Sequence, residues 1–331
     1  MNLETNNRKE TFGDNKGGSC LNQQNRVSDV NAVFLFTILT FELVGFLATF
    51  LFHRYGIVLT ASQSILISQF SLIIPALVYV IKNKINLLEF IRFKRLKFGT
   101  IFLLIPFGIC IMPLMSCISY LSMLVFQNHI GQTVDSLVTN SSFLLSFLVV
   151  AVVPAIFEEA VYRGVFFNEY RKVNIRKGIL LSGLLFGLLH MNMNQFFYAF
   201  AMGVIFALLI EATDSILASM IVHLVMNGYS VTMTKVGMLL SEQRGITDTV
   251  EQLQGREGIV TVLGQLFVPT VIATLVAGVL FLVITMANGR TDHVKEIVKP
   301  MNTSNRGNVT YVTPCFIIGI AICVIEMIAK G

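Results

Sequence analysis

Leu144-Leu-Ser-Phe-Leu-Val-Val-Ala-Val-Val-Pro-Ala-Ile-Phe-Glu-Glu-Ala-Val-Tyr-Arg163 is an apolar run of membrane-spanning length that ends on two adjacent carboxylates, Glu158 and Glu159. A bilayer core about 30 Å thick takes roughly 20 apolar residues as a helix. Each carboxylate within such a helix costs roughly 2.5–3.5 kcal/mol on insertion scales, and such residues mark function. Two later apolar runs carry His190 and His223. The run therefore predicts a membrane helix, and its end predicts chemistry.

The rest of the chain agrees with a membrane reading. Of 331 residues, 54% are hydrophobic and 13% charged, and mean hydropathy is +0.73. A soluble domain carries about 25% charged residues, so lipid must cover most of this exterior. The expected fold class is all-α, a polytopic transmembrane bundle of about eight or nine spans. Five cysteines show no CxxC spacing, and read as small buried apolar residues instead of disulfides or metal ligands. Residues 1–30 are polar and lack the apolar stretch of a signal peptide. They are expected to form a disordered cytoplasmic tail.

Nine segments fit as spans: 31–52, 57–81, 99–127, 141–169, 177–191, 196–212, 214–235, 259–287 and 313–329. Pro75, Pro106, Pro113, Pro154 and Pro269 lie inside them, where membrane helices tolerate kinks. The division expected is N-terminal membrane helices over 31–141, a core over 142–235, and a C-terminal loop with further helices over 236–331. The loops 82–98 and 163–177 are rich in Lys and Arg, whereas 128–140 has none. The positive-inside rule then puts the N-terminus and the basic loops in the cytoplasm. Segment 85–98 alternates apolar and basic residues and is expected to lie flat on the membrane surface.

At about 1.5 Å per helical residue, this topology puts Glu158, His190 and His223 about 16, 19 and 14 Å below the cytoplasmic surface. Three spans thus bring ionisable groups to one level, in a pocket expected to admit water from the cell interior. Glu159 and Arg163 are i,i+4 and can pair. Glu158 is rotated about 100° away and can face the bundle. His223 and Asn227 are also i,i+4, and Phe186 places an aromatic ring beneath the His190 imidazole. Asp214 is expected to cap the seventh span. His53, His129 and His293 read as ordinary, and Asn192 and Asn194 as either turn or site residues.

A carboxylate in a low-dielectric pocket can act as general base on water. A neighbouring imidazole can hold that water, and a His with an Asn can donate to a developing oxyanion. Together these describe amide hydrolysis. Serine, aspartyl and zincin signatures are absent from the sequence. No cofactor is called for, but Glu158, His190 and His223 equal the His₂Glu set of catalytic zinc sites, so a divalent metal stays as an alternative. Against it, Glu159 is the one nearby carboxylate for either His, and Arg163 already claims it.

These residues resemble the CPBP family of CAAX proteases and bacteriocin-processing membrane proteases, also called Abi. Glu158-Glu159-Ala-Val-Tyr-Arg163 matches its EExxxR motif, Phe186-Gly-Leu-Leu-His190 its FxxxH and His223-Leu-Val-Met-Asn227 its HxxxN. All three fall in order within 142–230. The resemblance implies an intramembrane endopeptidase with Glu158 as water-activating base and His190 assisting. Glu159 is then structural, held by Arg163, with His223 and Asn227 as the oxyanion site. The implied partner is a membrane protein or peptide substrate, with prenylated CAAX tails among the family's substrates.

Two other function classes compete. A proton-coupled transporter could use intramembrane Glu and His, but no repeat of the EExxxR segment is present. A non-catalytic immunity or scaffold protein could keep the fold alone. The partners expected are a peptide substrate and the lipid bilayer, not nucleic acid, and the sequence sets no oligomeric state. The expected location is a multi-pass position in a bacterial plasma membrane.

Overall fold

The computed structural model describes residues 15–126, 129–244, 256–299 and 309–330. Among them lie twelve helices and no strand. The first five are α1 (Asn15–Arg54), α2 (Ala61–Lys82), the single turn α3 (Leu87–Phe90), α4 (Phe98–Met123) and α5 (His129–Asn140). Next comes α6, a continuous helix over Phe143–Val173 that contains two π-helical turns, Leu148–Val152 and Tyr162–Phe167. Then follow α7 (Ile175–Leu188), α8 (Met193–Thr213), α9 (Ile216–Arg244), α10 (Arg256–Ala287), α11 (Thr291–Val298) and α12 (Pro314–Lys330).

Seven of these helices are long and apolar enough to cross a membrane. Their apolar side chains face outward in numbers no water-soluble protein could carry: Phe46, Val58, Phe98, Val125, Leu275 and Met286 all stand more than 60% exposed. This is an integral, multi-pass membrane protein. The expected spans 177–191 and 313–329 correspond to shorter helices, α7 with 14 residues and α12 with 17. At about 1.5 Å per residue, α7 reaches only about 21 Å. It can stop short because α8 wraps it: a Cβ on Gly203 would lie 2.5 Å from the Gly183 Cα, so only glycines allow the two backbones so close. The turn between them is set by Asn192, whose side chain accepts the N–H of Gln195 at 2.9 Å.

The basic loops gather at one end of the bundle. There Arg26 and Lys172 both bind Glu169, at 2.8 and 2.7 Å. Lys97 reaches the Ala287 carbonyl and Arg176 that of Glu296. At the other end, the far end, lie the α1–α2 turn, α5, the α7–α8 turn and the second half of α9.

Three expectations are corrected. Residues 15–30 are helical, not a disordered tail, because Val27 and Val30 are buried in the core and Arg26 is paired with Glu169; residues 1–14 lie outside the described residues. Segment 85–98 holds the single helical turn Leu87–Phe90 before α4 begins at Phe98, and it turns its Arg92 inward, 8% exposed, onto Glu211 at 2.7 Å. Asp214 is not the N-cap of α9 but the left-handed C-cap of α8 (φ +58°), and its carboxylate binds Arg92 and Lys94. His293 is no idle loop residue: on α11, its Nε2 meets Glu211 Oε2 at 2.6 Å.

Candidate active site

Each site residue is placed by a feature of its own helix. The first π-helical turn of α6 ends at Val152, and Pro154 follows. The α-helical partner of the Val150 carbonyl would be the N–H of residue 154, which a proline lacks. Asn227 of α9 supplies a donor instead, its Nδ2 lying 3.0 Å from that carbonyl. One amide hydrogen is thereby fixed and the rest of the carboxamide lines a cavity. A turn further along α6, Glu158 and Glu159 separate as the 100° step demands. Glu159 is fully buried, while the Glu158 side chain is 13% exposed and borders the same cavity.

Glu159 Oε1 is an anchor for two partners. Arg163 Nη1 donates to it at 2.9 Å, and His223 Nδ1 lies at 3.0 Å. Arg163 does not monopolise this carboxylate, contrary to the sequence argument, because one carboxylate oxygen accepts from two donors. The guanidinium is otherwise enclosed by aromatic rings: its carbon sits 4.3 Å from the Phe186 ring centre and 5.0 Å from that of Phe206. Its Nε and Nη2 find no hydrogen-bond acceptor, so those π faces take that place.

With Nδ1 turned to Glu159, His223 aims Nε2 toward Glu158, 3.8 Å from Oε2. That is too long for a hydrogen bond and leaves the Glu158 oxygen facing the cavity. His190 Nδ1 lies 2.6 Å from the Phe186 carbonyl oxygen, so it carries the hydrogen and leaves Nε2 for the cavity. The Phe186 ring meets this imidazole edge-on, at 87° and 4.8 Å, not as a flat stack. The other Glu158 oxygen, Oε1, accepts from Gln69 Nε2 of α2 at 2.7 Å.

Gln69 was not foreseen. Its one sequence signal is a carboxamide inside the apolar run Ile65-Leu-Ile-Ser-Gln69, and nothing in the sequence ties that run to Glu158. Asn194 both hydrogen-bonds, through Nδ2, to the Ser119 carbonyl at 2.9 Å and borders the cavity, whereas Asn192 only makes the turn.

The cavity, about 490 Å³, collects Glu158, His190, His223 and Asn227 on one wall. Met112, Met115, Met202 and Met226 form an apolar wall, which adapts to varied shapes. From Glu158 the cavity lining continues toward the far end, as far as Ile65, Ser116, Asp135 and Thr234. Glu158, His190 and His223 do not draw into a metal-holding group; among the described residues no three His, Cys, Asp or Glu side chains do.

Residues 140–229, the stretch that carries the whole wall, match the family model described as type II CAAX prenyl endopeptidase Rce1-like. The matched stretch holds all three motifs that resemble the CPBP family. A Bacillus subtilis (strain 168) protein named "Putative membrane peptidase YdiL" is 33% identical to the chain over 90 residues. That match covers 27% of the chain and 37% of the length of the relative. No solved structure matches the chain. Within that stretch all three motifs face one cavity, and the residues that differ in burial, Glu158 and Glu159, differ also in partners.

Proposed function

We propose that the chain is an intramembrane endopeptidase in which Glu158 activates water to hydrolyse a peptide bond of a membrane-associated protein or peptide. One observation carries the reading: Glu158, hydrogen-bonded by Gln69, borders a 490 Å³ cavity beside His190, His223 and Asn227. In this reading Glu158 Oε2 removes a proton from water, and the hydroxide attacks the carbonyl carbon of the scissile bond. His190 Nε2 orients the water by accepting its other hydrogen. The carbonyl oxygen becomes an oxyanion, which the second amide hydrogen of Asn227 and a proton on His223 Nε2 stabilise. An imidazolium at His223 would be held between the carboxylates of Glu158 and Glu159. Collapse of the tetrahedral intermediate breaks the C–N bond, and Glu158 returns its proton to the leaving amine. Gln69 orients the base from its other oxygen. Proximity of these groups to a bound segment supplies the remaining rate enhancement.

The Rce1-like match and the membrane peptidase relative support this class. The chain spans about a third of the length of that relative, so the activity is assigned here from the cavity. The residues do not gather a metal, and the reading is metal-free. The orientation with the basic end in the cytoplasm follows from the charges of the loops. The test compares all membrane peptides with new termini in cells carrying wild-type or Glu158→Gln protein at equal level. New termini that vanish in the variant support the peptidase. An identical set in both would reject it, and Glu158-dependent ion-coupled uptake in proteoliposomes would move the assignment to a transporter.

A further inference from the structure

The direction from which this cavity can be entered follows from what fills each end of the bundle. Toward the basic end the space below Glu158 is solid. Arg163, Phe166 and Tyr170 of α6 and Phe206 and Leu209 of α8 are each no more than 2% exposed. Beneath them, Arg92 and Arg171 close on Glu211 Oε1, each at 2.7 Å. No path for a polypeptide crosses that layer.

Toward the far end the cavity widens instead. Its lining continues along the first half of α2 (Ile65, Ser68), the second half of α4 (Ser116, Ser119) and the outer half of α9 (Ser230, Thr234), and reaches Asp135 on α5. Polar groups increase along this route, as they must where water meets a membrane interior. Asp135 and Ser230 are exposed residues that also line the cavity. They mark its mouth. Segment 128–140, which carries Asp135, contains no Lys or Arg.

We propose that the scissile segment reaches Glu158 through a mouth framed by Asp135 and Ser230, on the membrane face opposite the basic loops. Given positive-inside orientation, that face is extracytoplasmic. The inference rests on the peptidase reading and narrows its substrates. They are polypeptide segments that emerge at the outer membrane surface, such as the juxtamembrane part of a translocated protein or a peptide in transit outward. The carboxyl-terminal tail of a prenylated cytoplasmic protein would arrive at the closed end. The two lining carboxylates, Glu158 and Asp135, with no Lys or Arg among the described lining residues, also suit a neutral or basic segment better than a free terminal carboxylate.

The experiment separates the face from the activity. In a cysteine-free background, Asp135→Cys, Ser230→Cys and, at the basic end, the exposed Arg95→Cys are treated in intact cells with a membrane-impermeant maleimide. We expect both mouth variants to label at least tenfold faster than Arg95→Cys, which should react only after permeabilisation. Two mouth reporters keep the result readable if one variant folds poorly. The reverse pattern, with Arg95→Cys labelled in intact cells, overturns the proposal. In parallel, termini that depend on Glu158 are mapped on their parent proteins. Positions in outward-facing segments support the proposal, and positions at cytoplasmic carboxyl termini overturn it. If no terminus depends on Glu158, the peptidase reading and the substrate class fail together, while the labelling still decides where the cavity opens.

Discussion

Two clusters of carboxylates lie inside this bundle, and they differ in the company they keep. At the basic end Glu211 is surrounded by cations: Arg92 and Arg171 at 2.7 Å, His293 at 2.6 Å and Arg290 at 3.7 Å. Asp214 beside it binds Arg92 and Lys94. Neither lines the cavity that Glu158 borders. In the core, Glu159 repeats that pattern with Arg163, but Glu158, one residue away, has a single neutral donor, Gln69, and a cavity. A carboxylate neutralised by guanidinium holds helices together. One with no guanidinium bonded to it is left with an oxygen facing the cavity, where a substrate could meet it. In the function proposed above, the acids bound by cations serve architecture and Glu158 serves chemistry.

The largest effect that can break this contrast is at Glu158. Replacing it with Gln should lower peptide cleavage by 10²–10⁴-fold, the range general base catalysis supplies, while leaving the thermal midpoint in detergent within a few degrees. A large drop in stability would put Glu158 among the architectural acids. Next comes Glu159→Gln, which strands a buried guanidinium and should cost about 3–5 kcal/mol of stability. The double change Glu159→Gln with Arg163→Met should recover part of that loss, because no unpaired charge remains. Equal melting of single and double variants would show that the pair is not the unit of stability. A smaller effect is expected at Gln69→Ala: one hydrogen bond to a charged acceptor, about 1.5 kcal/mol, or roughly a tenfold loss in kcat/KM with unchanged folding. No change would mean that Glu158 is oriented by other groups. The smallest is at the basic end. Burial alone would raise the Asp214 carboxyl, but hydrogen bonds from Lys94 and Arg92 hold it at about 2, below its ordinary 3.8. Its contribution is therefore fully present above about 4 and lost as the pH falls toward about 2. A melt series across that window should show Asp214→Asn flattening the acid-side slope slightly, and an unchanged slope would remove Asp214 from the clamp.

Much of the core was readable from the chain because its signals are local. Glu158-Glu159 with Arg163, Phe186 with His190 and His223 with Asn227 are all i,i+4 patterns or neighbours, and helical geometry alone fixes their relative faces. What could not be read was the meeting of distant segments. Gln69 lies 89 residues from Glu158 and Arg92 lies 119 from Glu211, and each looks like an ordinary polar residue until the helices pack. The N-terminal segment was misread for a related reason. Its Asn- and Gly-rich composition argues for disorder, but Val27, Val30 and Asn31 find partners on distant helices, and tertiary contact overrides local preference. The direction in which the cavity continues could not be read either, because depth along a helix says how deep a group sits, not which end is packed.

The bond between Asn227 and Val150 has a consequence for how such a site can vary. The anchoring oxygen is available because an imino acid follows it by one turn, so two distant positions are coupled without touching as side chains. Restoring a peptide hydrogen at 154 would give that oxygen a rival donor and let the carboxamide swing. Sliding the ring one place along would turn the vacated acceptor by about 100°, out of reach of α9. In this scaffold a missing hydrogen on one helix is what holds a reactive side chain still on another.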